Sequence, residues 1–216
     1  MKSRKGKFIV FEGLNGSGKS TQARFLAERL TFSGEPYPWM TYEPNDLDDY
    51  GKRAREMLSK DSDPYENNLI AARLFSFNRR THNKKIEEEL SRRSVISDRY
   101  WHSNFAYQGA QGVSFREIAR LNEGLMIPDI TFLLSISPEE SFERIFKRKN
   151  PQRKFEKDLN FASKVATNYL SLPFTLPSLL GDSSIVLIDA SKSKGEVFEK
   201  ILDAYRKKFP EKGASF

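Results

Sequence analysis

The sequence predicts a three-layer α/β fold in which helices cover both faces of a five-stranded parallel sheet. Two observations indicate this fold: five short apolar runs typical of buried strands, and the amphipathic stretches that separate them. Strands that alternate with helical patterns form right-handed βαβ units, which bury a parallel sheet on both faces. The five runs are Phe8–Phe11, Tyr37–Thr41, Ser94–Ser97, Ile130–Ile136 and Ile185–Ile188.

Prolines help to place the elements along the chain. Pro36 and Pro38 lie at the second run, so we expect that strand at a sheet edge or starting late, where a missing N–H is tolerated. Pro64 and Pro138 stand where helices can begin, because proline suits the first helical position. A long helix is predicted from about Tyr65 to Arg92.

Composition narrows the classes of protein. A chain of 216 residues can bury a core, and residues 1–216 are expected to form a single domain with a short cationic lid around 147–156. The net charge of +7 is spread over several helices, so nucleic acid is not expected as a principal ligand. The absence of cysteine excludes disulfides and thiolate metal sites. No apolar run suits a membrane helix or a secretory signal, so we expect a cytoplasmic protein without a membrane partner.

A phosphate-binding loop follows the first apolar run. The segment from Gly13 to Ser20 fits the pattern G-x-x-x-x-G-K-[ST]. A strand before it and a helix after it are the context that this motif requires. Lys19 would reach the β- and γ-phosphates, and the Ser20 hydroxyl would bind Mg²⁺. The residues expected around the nucleotide phosphates are Gly13, Leu14, Asn15, Gly16, Ser17, Gly18, Lys19, Ser20 and Thr21.

Asp98 and Arg99 directly follow the third apolar run. In open α/β sheets, ligands bind beyond the carboxyl ends of the strands, so Asp98 can hold hydrated Mg²⁺ beside Ser20. Arg99 can clamp a phosphate with two parallel hydrogen bonds. The alternative is an Asp–Arg pair that caps a helix; the nearby phosphate loop favours the functional interpretation.

Phe75 and Arg79 share one face of the predicted long helix, because they are four residues apart. An aromatic plane with a cation one turn away suits a nucleobase. On spacing alone, the simpler interpretation is favoured: Phe75 lies in the core and Arg79 extends its charge to solvent.

Other polar segments have less specific signals. Ser103 and Gln108 can read base edges, since an amide both donates and accepts, and Tyr107 between them also suits the core. His82 and His102 are isolated, and no metal-ligand spacing or Ser–His–Asp signature occurs. A cationic stretch has two interpretations: its side chains close on the negative charge of a phosphoryl group during transfer, or they form a solvated charge run. Its members are Arg144, Lys147, Arg148, Arg153 and Lys154.

From Phe8 to about Phe198 the chain resembles the thymidylate kinases, a family of P-loop nucleoside monophosphate kinases. Many kinases share the phosphate loop, whereas Asp98-Arg99-Tyr100 with the following Ser103 and Tyr107-Gln108 is much more specific. Further matching segments, in the right order, are Phe11-Glu12-Gly13, Glu43-Pro44, Phe75 with Asn78-Arg79, Pro128-Asp129 and Ile188-Asp189-Ala190-Ser191.

The resemblance implies a P-loop NTPase fold, a homodimer, and Mg²⁺-dependent transfer of the ATP γ-phosphate to dTMP, which gives dTDP and ADP. It implies that Phe75 stacks on thymine, that Arg79 contacts the base and that Arg99 holds the acceptor phosphate. The implied substrate-binding residues are Asn15, Glu43, Pro44, Phe75, Arg79, Arg99, Tyr100, Ser103, Tyr107 and Gln108. The implied catalytic residues are Lys19, Asp98, Arg99, Arg148 and Arg153.

The chain departs from the family pattern at several positions. Asn15 stands where many members carry an acid that approaches the sugar hydroxyl. Tyr42 replaces an arginine and Asn45-Asp46 replaces two glycines, so two alternatives are open: this loop lacks a phosphate contact, or Lys52 or Arg53 supplies it. In the lid, where many members read R-[FY]-E, Phe155 offers no hydroxyl, and Arg148 and Arg153 are the candidates for the arginine that faces ATP.

Two other functions remain open from the sequence. One is a kinase with a broader or different acceptor, such as dUMP, dGMP or several monophosphates. The other is a nucleotide-binding switch that lacks phosphotransfer.

Overall fold

The computed structural model describes residues 5–59, 65–66, 68–147 and 158–210. Five parallel strands form one sheet in the order β2-β3-β1-β4-β5. The strands are β1 (Phe8–Gly13), β2 (Trp39–Tyr42), β3 (Val95–Asp98), β4 (Ile130–Ser135) and β5 (Ile185–Asp189). The predicted α/β fold with a five-stranded parallel sheet is confirmed, and the second run forms an edge strand as its prolines indicate.

Helices connect the strands and cover the sheet. They are α1 (Lys19–Phe32), α2 (Asp49–Ser59), α3 (Asn68–Leu90), α4 (His102–Ala110), α5 (Phe115–Asn122), α6 (Pro138–Phe146), α7 (Leu159–Leu180) and α8 (Lys194–Lys208). Helix α1 packs with α8, whereas α4 packs with α3 and α7. Every β1 residue from Phe8 to Phe11 is fully buried, and since successive strand side chains point to opposite faces, both faces are covered.

Several element boundaries differ from those that the sequence predicts. Strand β1 continues to Gly13, which pairs with Leu134 of β4. Strand β2 begins at Trp39 rather than Tyr37, because Trp39 is the first residue after Pro38 with an N–H for the ladder; it donates to the Ser94 carbonyl at 2.9 Å. Helix α3 is shorter at both ends than predicted.

The start of α6 agrees with the prediction from proline. Pro138 occupies the first turn, and the Ser137 side chain caps the helix by accepting a hydrogen bond from the Glu140 N–H at 3.1 Å. Pro64, the other predicted helix start, lies outside the described residues. Among the described helices, none is both long enough and apolar enough to cross a membrane.

A buried contact between a histidine and an aspartate joins α4 to the segment after α7. His102 Nε2 lies 2.8 Å from Asp182 Oδ2, and both side chains are almost fully buried. Burial alone would raise the pKa of Asp182, but hydrogen bonds and charge from His102, with hydrogen bonds from Ser184, lower it overall.

This shift predicts a pH-dependent contribution to stability. A carboxyl whose folded pKa is depressed stabilises the protein above its unfolded pKa and loses that effect as pH falls through the folded value. We expect Asp182→Asn to lower the free energy of unfolding by about 1–3 kcal/mol at pH 7. The difference from wild type should shrink below the ordinary carboxyl pKa of 3.8. Urea unfolding between pH 3 and 7 measures it, and a difference that does not change with pH would contradict the linkage.

Candidate active site

The phosphate loop has the backbone geometry that its glycines allow. Gly13, Gly16 and Gly18 have φ of 134°, 80° and 100°, in the region that favours glycine. A Cβ on Gly13 would lie 2.3 Å from the Leu134 carbonyl oxygen, so this position also needs glycine for close approach to β4. Helix α1 starts after Gly18 without a side-chain cap, which leaves its N-terminal N–H groups suited to an anion.

Lys19 lies across this loop. Its ammonium donates to the carbonyl oxygens of Gly13 at 3.1 Å and Leu14 at 2.9 Å, and the side chain is buried. Carbonyl oxygens of the loop thus hold the Lys19 ammonium at the loop.

Ser20 and Asp98 meet at the carboxyl end of β3. Ser20 Oγ lies 2.5 Å from Asp98 Oδ2, although 78 residues separate them. A hydroxyl and a carboxylate oxygen at the mouth of a phosphate loop are the ligands that Mg²⁺ takes beside nucleotide phosphates. The residues present therefore fit the implied metal. No cluster of three or more His, Cys, Asp or Glu residues forms a separate metal site in the described part of the chain.

Arg99 is held in an unusual conformation at the end of β3. It is the one residue other than glycine with positive φ, at 73°, in the described segments. Its N–H donates to the Phe11 carbonyl at 2.9 Å, and its own carbonyl accepts from Ser97 Oγ at 2.7 Å. Such a backbone costs on the order of 1–3 kcal/mol and persists where the surroundings enforce it, often at functional sites.

Four oxygens from the phosphate loop, α4 and α7 orient the Arg99 guanidinium. Nη2 donates to Asn15 Oδ1 at 2.5 Å and to the Tyr107 hydroxyl at 3.2 Å. Nη1 donates to Ser103 Oγ at 3.0 Å and to the Tyr169 hydroxyl at 2.9 Å. Burial alone would lower the pKa of Arg99, but Tyr107, Tyr169 and nearby carboxylates raise it overall, so the guanidinium stays charged.

Glu12, fully buried in β1, supports the same arrangement. Its Oε1 accepts from the N–H groups of Tyr100 at 2.8 Å and Ser103 at 3.2 Å. Its Oε2 accepts from Ser103 Oγ at 2.7 Å and the Tyr169 hydroxyl at 2.9 Å, and lies 3.9 Å from Arg99 Nη1. Burial and the Glu12 charge raise the pKa of Tyr169 well above its usual range, so its hydroxyl keeps its proton.

Sequence reasoning assigned no role to Glu12 or Tyr169. A signal for Glu12 was available, because a charged residue inside an otherwise apolar buried strand requires partners. Tyr169 carries no such signal, because an aromatic residue in an amphipathic helix predicts only packing.

A pocket opens beside the phosphate loop, and all ten predicted substrate-binding residues line it. Two further lining residues, Leu58 and Asn104, were not predicted. The ten are Asn15, Glu43, Pro44, Phe75, Arg79, Arg99, Tyr100, Ser103, Tyr107 and Gln108. Phe75 is half-buried and faces this pocket rather than joining the hydrophobic core.

The guanidinium of Arg79 is buried, so the interpretation that it extends into solvent is wrong. Its Nε donates to Glu43 Oε2 at 2.6 Å, and its Nη1 donates to Asn104 Oδ1 at 2.5 Å and Asn122 Oδ1 at 2.6 Å. Asn104 Nδ2 then donates to Gln108 Oε1 at 3.0 Å. These bonds leave Nη2 of Arg79 as the nitrogen that can serve a ligand in the pocket.

In the loop after β2, Arg55 contacts residues at the positions where the chain departs from the family pattern. The Arg55 guanidinium of α2 stacks over the Tyr42 ring at 4.7 Å and donates to the Pro44 carbonyl at 2.8 Å. Arg55 Nε also lies 2.7 Å from Asp46 Oδ1. Lys52, one of the two residues expected to act here, instead pairs with Asp49 at 3.1 Å. The expectation that Lys52 or Arg53 supplies a phosphate contact stays a prediction, whereas the helical position of Arg55 carries its side chain back over the loop.

Asn78 fastens the same loop to α3. Its Oδ1 accepts from the Asn45 N–H at 3.1 Å, and its Nδ2 donates to Asn45 Oδ1 at 3.1 Å and Asp48 Oδ1 at 2.9 Å. A Cβ on Gly51 would lie 1.8 Å from the Asn45 carbonyl oxygen, so glycine permits this approach. Asn45 is therefore a buried anchor of the loop.

The predicted lid cations are only partly placed. Arg148 and Arg153 lie outside the described residues, as do Lys154 and Phe155. Arg144 braces the phosphate loop: its Nη2 donates to Glu140 Oε1 at 2.5 Å and the Ala190 carbonyl at 2.9 Å, and its Nη1 lies 3.5 Å from the Gly16 carbonyl.

A glycine-rich loop between the central strand and a helix N-terminus defines the class: this is a P-loop protein that binds nucleotide phosphates. Residues 11–201 match the family model described as thymidylate kinase. The chain is 36% identical over 207 residues to a probable thymidylate kinase of Methanococcus maripaludis strain C6, covering 95% of this chain and 98% of that protein. The chain therefore belongs to the thymidylate kinase family of transferases.

Two further comparisons agree with this membership. A probable thymidylate kinase of Methanocaldococcus jannaschii is 37% identical over 204 residues, covering 94% of this chain and 97% of that protein. The solved structure of thymidylate kinase from Candida albicans has a TM-score of 0.77 at 26% identity, over 95% of this chain and 93% of that one.

Proposed function

We propose that the protein transfers the γ-phosphoryl group of ATP to the 5′-phosphate of dTMP, giving dTDP and ADP. A dTMP phosphate oxygen forms a bond to the γ-phosphorus while the bond to the β,γ-bridging oxygen breaks, so no protein nucleophile is needed. One observation carries the proposal: a pocket lined by Phe75 and Arg79 also contains Arg99, which donates to Asn15 of the phosphate loop.

The donor side holds ATP through the loop amides, the N-terminus of α1 and the Lys19 ammonium. Ser20 and Asp98 would hold Mg²⁺, which neutralises phosphate charge when bound. Arg148 and Arg153 of the lid are proposed to contact the transferred group on closure and to exclude water. Lys19, by position in the loop, attracts the β- and γ-phosphate oxygens.

On the acceptor side, Arg99 holds the dTMP phosphate. Its guanidinium stays charged and is oriented by Asn15, whose amide oxygen holds it without cancelling the charge. Positioning and charge neutralisation of this kind supply most of the catalysis in phosphoryl transfer.

The base is read by Phe75 and Arg79. A guanidinium donates and cannot accept, so Nη2 of Arg79 favours a base with a carbonyl oxygen over one with an amino group at that place. Thymine carries such an oxygen at C4 and cytosine carries an amino group, so dTMP fits and dCMP leaves the donor unpaired. Phe75 offers its ring face for stacking.

A panel of acceptors tests the proposal. With Mg-ATP as donor, ADP formation should be at least about 100-fold more efficient, by kcat/KM, for dTMP than for dCMP. The gap between dTMP and dUMP should be smaller, because one methyl group discriminates less strongly than an unpaired donor. The other acceptors are UMP, CMP, AMP, dAMP, GMP and dGMP. A flat profile, or preference for a purine, would contradict the assigned base contacts.

We also propose a cytoplasmic homodimer. Ile70 and Phe77 of α3 are exposed and seven residues apart, so they lie on one helix face, and the Phe77 ring contacts Tyr50 at 5.1 Å. An exposed apolar face of this kind supports packing against a second copy. Sedimentation equilibrium measures the mass, and a monomer at micromolar concentration would contradict the dimer.

A further inference from the structure

We propose that His82 is a positioning residue for acceptor recognition: it holds Glu43 and thereby fixes the Arg79 guanidinium at the wall of the pocket. His82 is not itself among the lining residues of that pocket. The inference rests on the proposed function, because it assigns a role to His82 only if the pocket receives a nucleobase.

His82 lies on α3 and is fully buried against β2. Its Nδ1 lies 2.9 Å from Glu43 Oε1, its Nε2 lies 2.8 Å from Thr41 Oγ1, and its ring meets Trp39 edge-on at 5.8 Å. A buried imidazole with partners at both nitrogens has a defined orientation.

The partners also define where the protons lie. The Glu43 carboxylate already accepts from Arg79 at 2.6 Å, so it is an acceptor toward His82 as well, and Nδ1 of His82 carries the hydrogen. In the neutral ring, Nε2 then accepts from the Thr41 hydroxyl. The two hydrogen bonds then run in one direction: Thr41 Oγ1 donates to His82 Nε2, and His82 Nδ1 donates to Glu43 Oε1.

Glu43 divides its two oxygens between these neighbours. Oε1 accepts from His82 and Oε2 accepts from Arg79, so the plane of the carboxylate is set from both sides. The Glu43 N–H is also fixed, since it donates to the Asp98 carbonyl at 3.0 Å. Without the His82 donor, Oε1 would be a buried acceptor lacking its partner, and the carboxylate would be able to rotate.

The Glu43 carboxylate supplies the counter-charge of the buried Arg79 guanidinium and holds its Nε. Its remaining acceptors, Asn104 and Asn122, are neutral amides, and Glu43 is the carboxylate with which it forms an ion pair among the described contacts. A guanidinium is planar, so the direction of its Nε bond also sets the direction in which Nη2 points into the pocket. Rotation of Glu43 would therefore misdirect the nitrogen that reads the base.

Two amide substitutions separate positioning from packing. In His82→Asn the side-chain nitrogen lies near the place of Nδ1 and can still donate to Glu43. In His82→Gln the amide extends toward the place of Nε2, so it reaches Thr41 rather than Glu43. Both variants bury one amide, which makes them a matched pair.

The Gln variant is expected to raise KM for dTMP by about tenfold. The Asn variant should stay within about threefold of wild type, and KM for ATP should change less than twofold in both, because the described contacts of His82 are with Glu43, Thr41 and Trp39 and not with the phosphate loop. Equal KM values for dTMP in the two variants, or parallel losses for ATP and dTMP, would overturn the proposal.

A double-mutant cycle gives the second readout. If His82 acts through Arg79, then His82→Gln should raise the KM for dTMP little further in a protein that already carries Arg79→Lys and so lacks the planar guanidinium. Additive effects would overturn the proposal. Wild-type enzyme is assayed beside every variant: failure to phosphorylate dTMP contradicts the proposed function, whereas an active wild type with indifferent variants contradicts only the role of His82.

Discussion

Replacing Arg99 by alanine should lower kcat/KM for dTMP by two to three orders of magnitude, about 2–4 kcal/mol, with little change in ATP affinity. The guanidinium is oriented by four oxygens, including Asn15 Oδ1 at 2.5 Å and the Tyr169 hydroxyl at 2.9 Å. In the proposed mechanism its charge would meet the acceptor phosphate away from bulk water, where a charge-assisted pair is worth more than in water. Initial rates at varied dTMP, with ATP affinity from calorimetry, measure both quantities.

Two controls test the reason for that loss. Arg99→Lys keeps the charge but not the planar fork, so it should recover only part of the activity. Arg99→Gly should be as inactive as the alanine variant yet more stable by about 1 kcal/mol, because glycine adopts φ of 73° without strain. A comparable fall in ATP binding would show that Arg99 serves the donor site instead.

Glu12→Gln should lower the free energy of unfolding by about 2–3 kcal/mol and reduce dTMP turnover at least tenfold, about 1.4 kcal/mol. Glu12 accepts four hydrogen bonds, two of them from the N–H groups of Tyr100 and Ser103, which cannot reverse direction. A glutamine amide keeps one acceptor oxygen and turns N–H groups toward the Ser103 and Tyr169 hydroxyls, so the support of Arg99 loosens.

The matched control for this change is Glu28→Gln on α1. Glu28 is exposed and lies 3.5 Å from Arg24 in a surface pair, so its loss should cost less than about 0.5 kcal/mol. Urea denaturation of both variants, with KM for dTMP, gives the comparison. If Glu12→Gln behaves like Glu28→Gln in both measurements, the buried carboxylate does not organise the Arg99 site.

The predicted fold followed from local features. One continuous unit comprises the run from Phe8 to Phe11, the glycine-rich loop and the helix from Lys19. Apolar periodicity and glycine conformations, which are local features, predict its strand, turn and helix. Boundaries were less accurate, as at Trp39 and Asn68, because a strand or helix ends where its hydrogen-bond partners end.

The candidate site depended on more than spacing. The interval between Phe75 and Arg79 determines only that they share a helix face, and it favoured an arginine in solvent. Burial of Arg79 results from Glu43, Asn104 and Asn122, which come from three other segments of the chain. The resemblance corrected this interpretation because it implied a place for Arg79 within the whole fold, in contact with a base.

By itself, then, the sequence determined the parallel α/β architecture and the phosphate loop, since these depend on apolar periodicity and glycine conformations within a few positions. Tertiary structure alone decided which buried side chains support the candidate site. Glu12 meets Tyr169 across 157 residues, and His82 meets Glu43 across 39. Contacts at such separations form only when packed elements bring the groups within hydrogen-bond distance, and no local pattern specifies them.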